Sequence, residues 1–336
     1  MKAVIQTRYG TVDDLRVEET AAPSPESDEV LVKVKAAAVH PDVWHVVCGR
    51  PRVLRLMGAG FKRPKNPIPG TDMSGIVETV GDKVSVFKPG DAVFGETIAD
   101  MQWVNGGAFA EYATVKATNL ARKPENVSFE QAASLPTAGF IVLLNLDMGK
   151  LVTEGTEVLI NGAGGGVGSL ALQLIKHWGG RVTAVDCDNK LDMLKKLGAD
   201  EAVDYKTTNY TEMGVQFDII FDIPGNYRFA ELKKALKPNG KYIPIGHDDF
   251  GKKGNPILGT LPYFISLSFR SMINKQLPKA TLKMPPKSEV MEILRRALTD
   301  GSLTPLVAKT FPLEAVSEAM HYMMEENPMG KVILTP

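Results

Sequence analysis

The stretch AAAVHPDVWH, residues 36–45, sets His40, Asp42 and His45 within six residues at the end of an apolar run. Imidazoles and a carboxylate at that spacing suit two chemistries, metal ligation and proton transfer. A second stretch, NGAGGGVGS from Asn161 to Ser169, crowds glycines between two apolar segments. Ala163, Gly165 and Gly168 occupy the three positions of the G-x-G-x-x-G dinucleotide pattern, with alanine in place of the first glycine. Gly165 and Gly166 would let the backbone approach a pyrophosphate. Gly168 would let the following helix pack closely on its strand, and the free N–H groups at the helix start would bind the phosphates. A tight strand-to-helix turn without a ligand would use the same residues.

The elements around these residues decide what they can do. EVLING, before the glycine loop, has the pattern of a strand. VGSLALQLIKHWG after it sets Val167, Leu170, Ala171, Leu174, Ile175 and Trp178 on one helical face. RVTAVD, EAVDY, FDIIFDI and KYIPIG follow as strands, alternating with the helical segments KLDMLKKLG and RFAELKKALK. That rhythm implies a parallel sheet with helices on both faces. The first 120 residues have another texture. AVIQT, LRVEE, EVLVKVKAAAV, SGIVETV, DAVFG and FAEYATV are short, Val-rich and separated by turns, and they suggest a compact barrel-like β domain. SFEQAASLPTAGFIVLLNLDMGK is helical, with Ser128 as N-cap and Gly149 as stop. After a stretch at 255–285 without a clear pattern, EVMEILRRALTDG and VAKTFPLEAVSEAMHYMMEE give two more helices and a strand, and GKVILTP a last strand. Met320, Met323 and Met324 are expected in the core. The β-rich end resembles the beginning, so the chain is expected to return to its first domain.

Composition sets outer bounds. A chain of 336 residues is long for one core, and 44% apolar residues supply two. Charges balance at 39 basic and 39 acidic, which gives no general attraction to nucleic acid or to an anionic membrane. The start, MKAVIQTRYG, has no apolar core of a signal peptide, and no apolar run is long enough to span a bilayer. Cys48 and Cys187 are expected as reduced thiols, and a cytoplasmic location fits.

Asp186 ends RVTAVD about twenty residues beyond the glycine loop, where an acid bonds the ribose hydroxyls of NAD and repels a 2′-phosphate. Lys190 and Tyr205, fifteen residues apart, could instead contact that phosphate. The two signals conflict.

The sequence resembles the medium-chain dehydrogenase/reductase superfamily, and within it the zinc-independent quinone-oxidoreductase-like group. The stretches AAAVHPDVWH, CGRPRVLRLMG, KRPKNPIPGTDMSGIVETVG, GDAVFG, GAFAEYATV, SFEQAASLPTAG, VLINGAGGGVG, LGADEAVDY, LKPNGKYIPIG and MGKVILTP carry the resemblance in family order. It implies an α/β fold: a GroES-like β-rich catalytic domain, at 1–122 and 290–336, and a Rossmann doubly wound parallel-sheet domain at 123–289. The cofactor is expected in the cleft between them. In zinc-dependent relatives a cysteine stands at the position of His40, a histidine at that of Thr71, and a cysteine or acid at that of Thr137. Only His40 could ligate here, and a catalytic zinc needs about three protein ligands, so no metal is expected. The four-cysteine structural zinc lobe is absent from the sequence. Where His40 stands the group commonly has an asparagine facing nicotinamide and substrate. A histidine there could donate to a carbonyl or relay a proton, or could be structural. His45 aligns with a proton-relay histidine of zinc alcohol dehydrogenases. Ile141 replaces a threonine that often touches nicotinamide.

The expected site therefore has His40 and His45 as catalytic candidates. Thr137, Ile141, Ala163, Gly165, Gly166, Val167, Asp186, Lys190, Tyr205, Asp222, Gly246 and Lys331 are the cofactor candidates. NADP is the expected cofactor, with NAD possible, and a homodimer the expected assembly. The expected activity is hydride transfer from NAD(P)H to a quinone or an α,β-unsaturated carbonyl. The alternatives are a zinc-type alcohol dehydrogenase and a nucleotide-binding protein without turnover. The apolar segment at 255–285 could line a substrate pocket, form a dimer contact or touch a membrane surface, the first two being favoured.

Overall fold

The computed structural model describes residues 1–98, 103–246, 254–277 and 284–336. In chain order the strands and helices begin with β1 (Lys2–Ile5), β2 (Arg16–Glu19), β3 (Glu29–Val39), α1 (Pro41–Cys48), β4 (Asp72–Val80), β5 (Ala92–Glu96), β6 (Tyr112–Lys116) and β7 (Leu120–Arg122). Helices α2 (Phe129–Ala133) and α3 (Pro136–Asn145) lead into β8 (Glu157–Asn161), α4 (Gly166–His177), β9 (Arg181–Asp186), α5 (Asp188–Lys196), β10 (Glu201–Asp204), β11 (Phe217–Asp222), α6 (Phe229–Leu232), β12 (Leu236–Pro244) and α7 (Leu261–Ser271). The chain ends with α8 (Lys287–Thr299), β13 (Val307–Pro312), α9 (Val316–Glu325) and β14 (Lys331–Thr335).

Two compact units result, Met1–Phe140 with Pro286–Pro336, and Ile141–Pro285. The first exchange point, 140/141, lies beyond the expected 122/123. The reason is α2, which packs on β3, β4 and β5 although its composition is helical. The second exchange point, 285/286, lies four residues before the expected 289/290.

In the first unit, β1 and β2 form a ribbon, and the remaining strands form a seven-stranded sheet in the order β13-β14-β3-β4-β5-β7, with β6 also on β3. The eleven residues of β3 explain the branching. Along one edge Glu29–Lys33 pair with β6 and Ala37–Val39 with β14. Its exposed lysines alternate with buried valines, as a half-buried strand requires. The core takes Val30, Val32 and Val34 from β3, Met73 and Val77 from β4, and Phe311, Met320, Val332 and Leu334 from the C-terminal return. Met323 and Met324 pack against it, so all three methionines serve the core.

The second unit holds a five-stranded, all-parallel sheet in the order β10-β9-β8-β11-β12. Strand order reverses at β8, whose carboxyl end carries the glycine loop, where doubly wound sheets bind their ligands. Two helices differ from expectation. In α4 Leu172 and Gln173 are buried as well as Leu170, Ala171, Leu174 and Ile175 of the predicted face, whose end positions Val167 and Trp178 are half-buried, and Gln173 Nε2 donates to Ser169 O at 3.0 Å within the helix. The segment expected as a helix at 228–237 gives only the four residues of α6 and a 3-10 turn, because Leu236 already pairs with Phe217 in the sheet. In the segment at 255–285, where no pattern was legible, α7 buries Leu267 in the core and exposes Phe269; residues 278–283 lie outside the described residues. Among the described residues no helix is long and apolar enough to cross a membrane.

Candidate functional site

A β-bulge aims His40. Between Val34 and Ala36, β3 takes one residue more than β4, which reverses its alternation. Val30, Val32 and Val34 face the main core before the bulge, and Ala37 and Val39 after it. Ala36 and Ala38 therefore turn to the other face, where they pack with Ala133 of α2 and Ile333. His40 continues that second phase. It is the N-cap of α1, with Pro41 at the first helical position, and the helix closes on Gly49 at φ 57, a left-handed cap that suits glycine. On β4, Asp72 and Ser74 share the corresponding face, and Ser74 Oγ donates to Phe129 O at 2.6 Å, holding α2 in place.

The three positions compared with zinc ligands come together, but as a hydrogen-bonded chain. His40 Nε2 lies 2.9 Å from Thr71 Oγ1, and Thr71 Oγ1 lies 3.3 Å from Asp72 Oδ1. Asp72 accepts from the Thr137 backbone N–H at 3.1 Å and from Thr137 Oγ1 at 2.5 Å. Thr137 Oγ1 also lies 2.8 Å from Glu96 Oε1, and the other oxygen of Glu96 takes a bond from Lys287 Nζ. Lys287 further donates to Ile98 O at 2.6 Å. The register of β4 and β5 sets Asp72 directly opposite Glu96. Two like charges so placed would repel, and the Lys287 ammonium offsets part of that repulsion.

Nearly every member is buried: His40, Thr71, Asp72, Glu96 and Thr137 are each at most 3% exposed. Burial, followed by the charge of Asp72, raises the Glu96 carboxyl above its ordinary range, against the pull of Lys287. Burial works against the charge of Asp42, yet His40 at 3.6 Å, the nearby His45 and the Trp103 indole N–H at 3.2 Å hold its carboxyl below the usual range. Lys331, expected at the cofactor, is buried at the start of β14, where burial lowers its pKa and Asp72, Asp42 and Glu96 oppose the shift. His45 takes another part. Its Nδ1 lies 2.9 Å from Arg50 O beside the end of α1, its ring stands edge-on to Trp44, and burial lowers its pKa. These bonds tie His45 to the closing turn of α1.

This donor set does not fit zinc. Thr71 and Thr137 offer neutral hydroxyls, both engaged with carboxylates, where zinc needs thiolate, imidazole or carboxylate. Among the described residues no group of three His, Cys, Asp or Glu is placed to hold a metal ion.

In the second unit the glycine loop has the form of a phosphate cradle. A Cβ on Gly168 would lie 2.2 Å from Gly162 O and 2.6 Å from Ala163 Cα, so helix, loop and strand approach as closely as the pattern predicts. Gly165 differs: among the described residues a Cβ there would meet only Gly162 O, at ordinary contact distance of 3.7 Å. No contact among the described residues demands glycine at 165. Gly165, Gly166 and Val167 are partly exposed at the start of α4, where the first N–H groups have no helical acceptor. Gly164 is fixed from within, its N–H bonded to Asp186 Oδ2 at 2.7 Å.

Asp186 and Lys190, the conflicting pair, meet. Lys190 Nζ lies 3.3 Å from Asp186 Oδ1, which also accepts from Cys187 N–H at 2.9 Å, and both side chains are almost fully buried. The Asp186 carboxylate is thus satisfied by the protein. The backbone N–H of Tyr205 donates to Asp186 O at 3.2 Å, and the Tyr205 side chain is half-exposed. Asp222 is fully buried: its oxygens accept from Asn161 Nδ2 at 2.9 Å, Gly225 N–H at 3.1 Å and Tyr242 O–H at 3.0 Å. It ties together the ends of β8, β11 and β12, a support for the loops. A Cβ on Gly246 would strike Ile223 O at 2.4 Å, so that glycine serves the same close approach of strand ends. Ile141 lies mid-helix in α3, half-buried. Sequence reasoning missed Asp42 as a charge partner, Glu96 and Lys287. The sequence signal for Glu96 is the acid that ends DAVFGE, which has meaning once β4 and β5 are in register.

Residues 26–125 match the family model of the alcohol dehydrogenase GroES-like domain, and residues 197–334 that of the zinc-binding dehydrogenase. Over 348 residues the chain is 31% identical to the 2-methylene-furan-3-one reductase of Solanum lycopersicum, spanning 100% of this chain and 79% of that relative. The chain belongs to the medium-chain dehydrogenase/reductase superfamily, in its quinone-oxidoreductase-like group. Another member, the chloroplastic NADPH-dependent alkenal/one oxidoreductase of Arabidopsis thaliana, is 31% identical over 100% of this chain and 80% of its own length. The solved quinone oxidoreductase of Coxiella burnetii superposes with a TM-score of 0.81 at 26% identity, covering 100% of this chain and 99% of its own. The two units are accordingly the GroES-like and Rossmann-like domains of a superfamily member.

Proposed function

We propose that this superfamily member is an NADPH-dependent, metal-free reductase of quinones or α,β-unsaturated carbonyls. The observation that carries the reading is the buried chain from His40 through Thr71, Asp72 and Thr137 to Glu96, which fills the zinc-ligand positions with hydrogen bonds. Relatives bearing the names 2-methylene-furan-3-one reductase and NADPH-dependent alkenal/one oxidoreductase support the substrate class. NADPH supplies a hydride from nicotinamide C4. An acceptor whose double bond is already polarised by a carbonyl needs no Lewis acid to receive it. What the protein adds is position, a dry setting and a hydrogen-bond donor for the oxygen that gains charge. His40 is the donor in this proposal.

The Rossmann-like unit would hold the pyrophosphate at Gly165, Gly166 and Val167, and the 2′-phosphate at Lys190 and Tyr205. Asp186 no longer argues for NAD, because Gly164, Cys187 and Lys190 already take up its charge. A charged hydrogen bond to phosphate is worth about 1.5–3 kcal/mol. Lys190→Ala should therefore raise the KM for NADPH by about tenfold or more and leave that for NADH nearly unchanged. A similar rise for both cofactors would show that Lys190 supports the loop through Asp186 and does not read the phosphate.

The function itself is tested by following NADPH oxidation over a panel of quinones and enones. Consumption of NADPH with at least one acceptor is expected. Tight NADPH binding without turnover on any of them would favour a nucleotide-binding protein that performs no chemistry.

A further inference from the structure

Counting hydrogens along the buried chain shows that it holds a proton to spare. Thr137 Oγ1 lies 2.5 Å from Asp72 Oδ1 and 2.8 Å from Glu96 Oε1. A hydroxyl carries one hydrogen and can donate it to only one of them. If both acids were ionised, one carboxylate oxygen would press on the threonine oxygen with no hydrogen between, in a buried place where such a contact is costly. A proton on Glu96 removes the conflict: Glu96 donates to Thr137, and Thr137 donates to Asp72. At the other end Thr71 Oγ1 again has one hydrogen and two partners, His40 Nε2 at 2.9 Å and Asp72 Oδ1 at 3.3 Å. The chain can therefore be written in two hydrogen-bonding directions, as a proton path requires. His40 Nδ1, buried, has no hydrogen-bond partner among the described residues. It lies 3.6 Å from Asp42 Oδ2, beyond hydrogen-bond distance, and ends the chain on the side away from Thr71.

We propose that Asp72 and Glu96 hold one proton between them across Thr137, and that this proton passes through Thr71 and His40 to the reduced acceptor. The inference rests on the reductase reading, because reduction of an enone or a quinone consumes one hydride and one proton. His40 breaks its Nδ1–H bond as the acceptor gains a bond to hydrogen. Nε2 takes the Thr71 hydrogen, Thr71 takes one from Asp72, Asp72 takes that of Thr137, and Thr137 takes that of Glu96. Both electrons arrive with the hydride, so no side chain is oxidised or reduced. Glu96 is left as a carboxylate against the Lys287 ammonium, which stabilises it until water returns a proton. Lys287, 10% exposed, is the member of the chain nearest to solvent. The charged groups facing the chain are Asp42 and His45 from α1 and Lys331 from β14. Burial and the nearby Asp72 charge favour a protonated Glu96, while Lys287 opposes it. His40 is the catalytic residue in this scheme; Thr71, Asp72, Thr137 and Glu96 act through it.

Infrared spectroscopy of the whole protein, without substrate, reads the shared proton directly. At pH 7 the wild type should show the carbonyl stretch of a protonated carboxyl, and Glu96→Gln should lack it. Delivery is read separately in enone reduction. Thr137→Val should lower kcat tenfold or more, leave the KM for NADPH unchanged, and raise the solvent deuterium isotope effect on kcat. Thr137→Ser, which keeps the hydroxyl, should restore most of the rate and the wild-type isotope effect. No protonated-carboxyl band assignable to Glu96 at pH 7 would overturn the shared proton. The band together with wild-type turnover and isotope effect in Thr137→Val would overturn delivery. A wild type that shows the band but reduces no acceptor would sink the reductase reading, and delivery with it, while leaving the proton in place as a structural one.

Discussion

Gly165→Val should leave the protein folded and lower its affinity for NADPH about a hundredfold, whereas Gly168→Ala should damage both fold and binding. The contrast comes from what a new Cβ meets. At 165 the only neighbour among the described residues is Gly162 O, at 3.7 Å, and the backbone is extended, with φ −76 and ψ 176, which any residue adopts. Loss of glycine at the N-cap of α4 costs roughly 1 kcal/mol, a shift in melting temperature of a few degrees. A ligand pyrophosphate laid on the loop would meet the valine, and losing one or two charge-assisted bonds of about 1.5–3 kcal/mol each gives a loss near a hundredfold. At 168 the Cβ would lie 2.2 Å from Gly162 O and 2.6 Å from Ala163 Cα, both backbone atoms with nowhere to go. Overpacking of that kind costs about 1–3 kcal/mol or more, and the loop moves with it. Fluorescence titration with NADPH beside a thermal melt separates the two cases. Wild-type affinity in Gly165→Val would mean that the loop is a bare turn and that the phosphates, if bound, lie elsewhere.

His40→Ala should lower kcat about tenfold while the affinity for NADPH stays the same. The imidazole ends the buried chain, and its Nδ1, 3.6 Å from Asp42 Oδ2, makes no hydrogen bond among the described residues. A donor aimed at an oxygen that gains charge stabilises the transition state more than the ground state. One such donor in a dry site is worth about 2.7–4 kcal/mol when the charge is localised. A quinone or enone spreads the charge, and we expect roughly 1–2 kcal/mol, about a tenfold effect. His40→Asn should recover only the part of the rate that comes from hydrogen bonding, since asparagine donates a hydrogen bond but cannot pass a proton on from Thr71. Steady-state kinetics on the best acceptor decides it, and full turnover in His40→Ala would make the histidine a structural partner of Thr71.

What was legible in the sequence is what local pattern determines. The strand–loop–helix frame of Asn161 to Ser169 and the alternation of β8 to β12 follow from spacing alone, and the valines of β3 announce a half-buried strand. The correspondence of His40, Thr71 and Thr137 came with the family resemblance. What those residues form could not be read, because it depends on long-range partners. Glu96 joins through the register of β4 and β5, and Lys287 reaches it from 191 residues away on the returning chain. Lys331 and Asp222 show the same limit: both were expected at the cofactor, and both are buried, one among the acids of the first unit and the other beneath the loops of the second. Asp186 and Lys190 gave opposed signals because charge in a sequence has no geometry. Once paired, they cease to conflict.

The measurement that bears most directly on a metal-free reductase is NADPH oxidation by protein dialysed against a strong chelator, with zinc content determined on the same sample. Turnover with a quinone or enone should match that of untreated protein, and neither sample should contain stoichiometric zinc. One tightly held zinc per chain, with activity lost on its removal and restored on its return, would contradict the account.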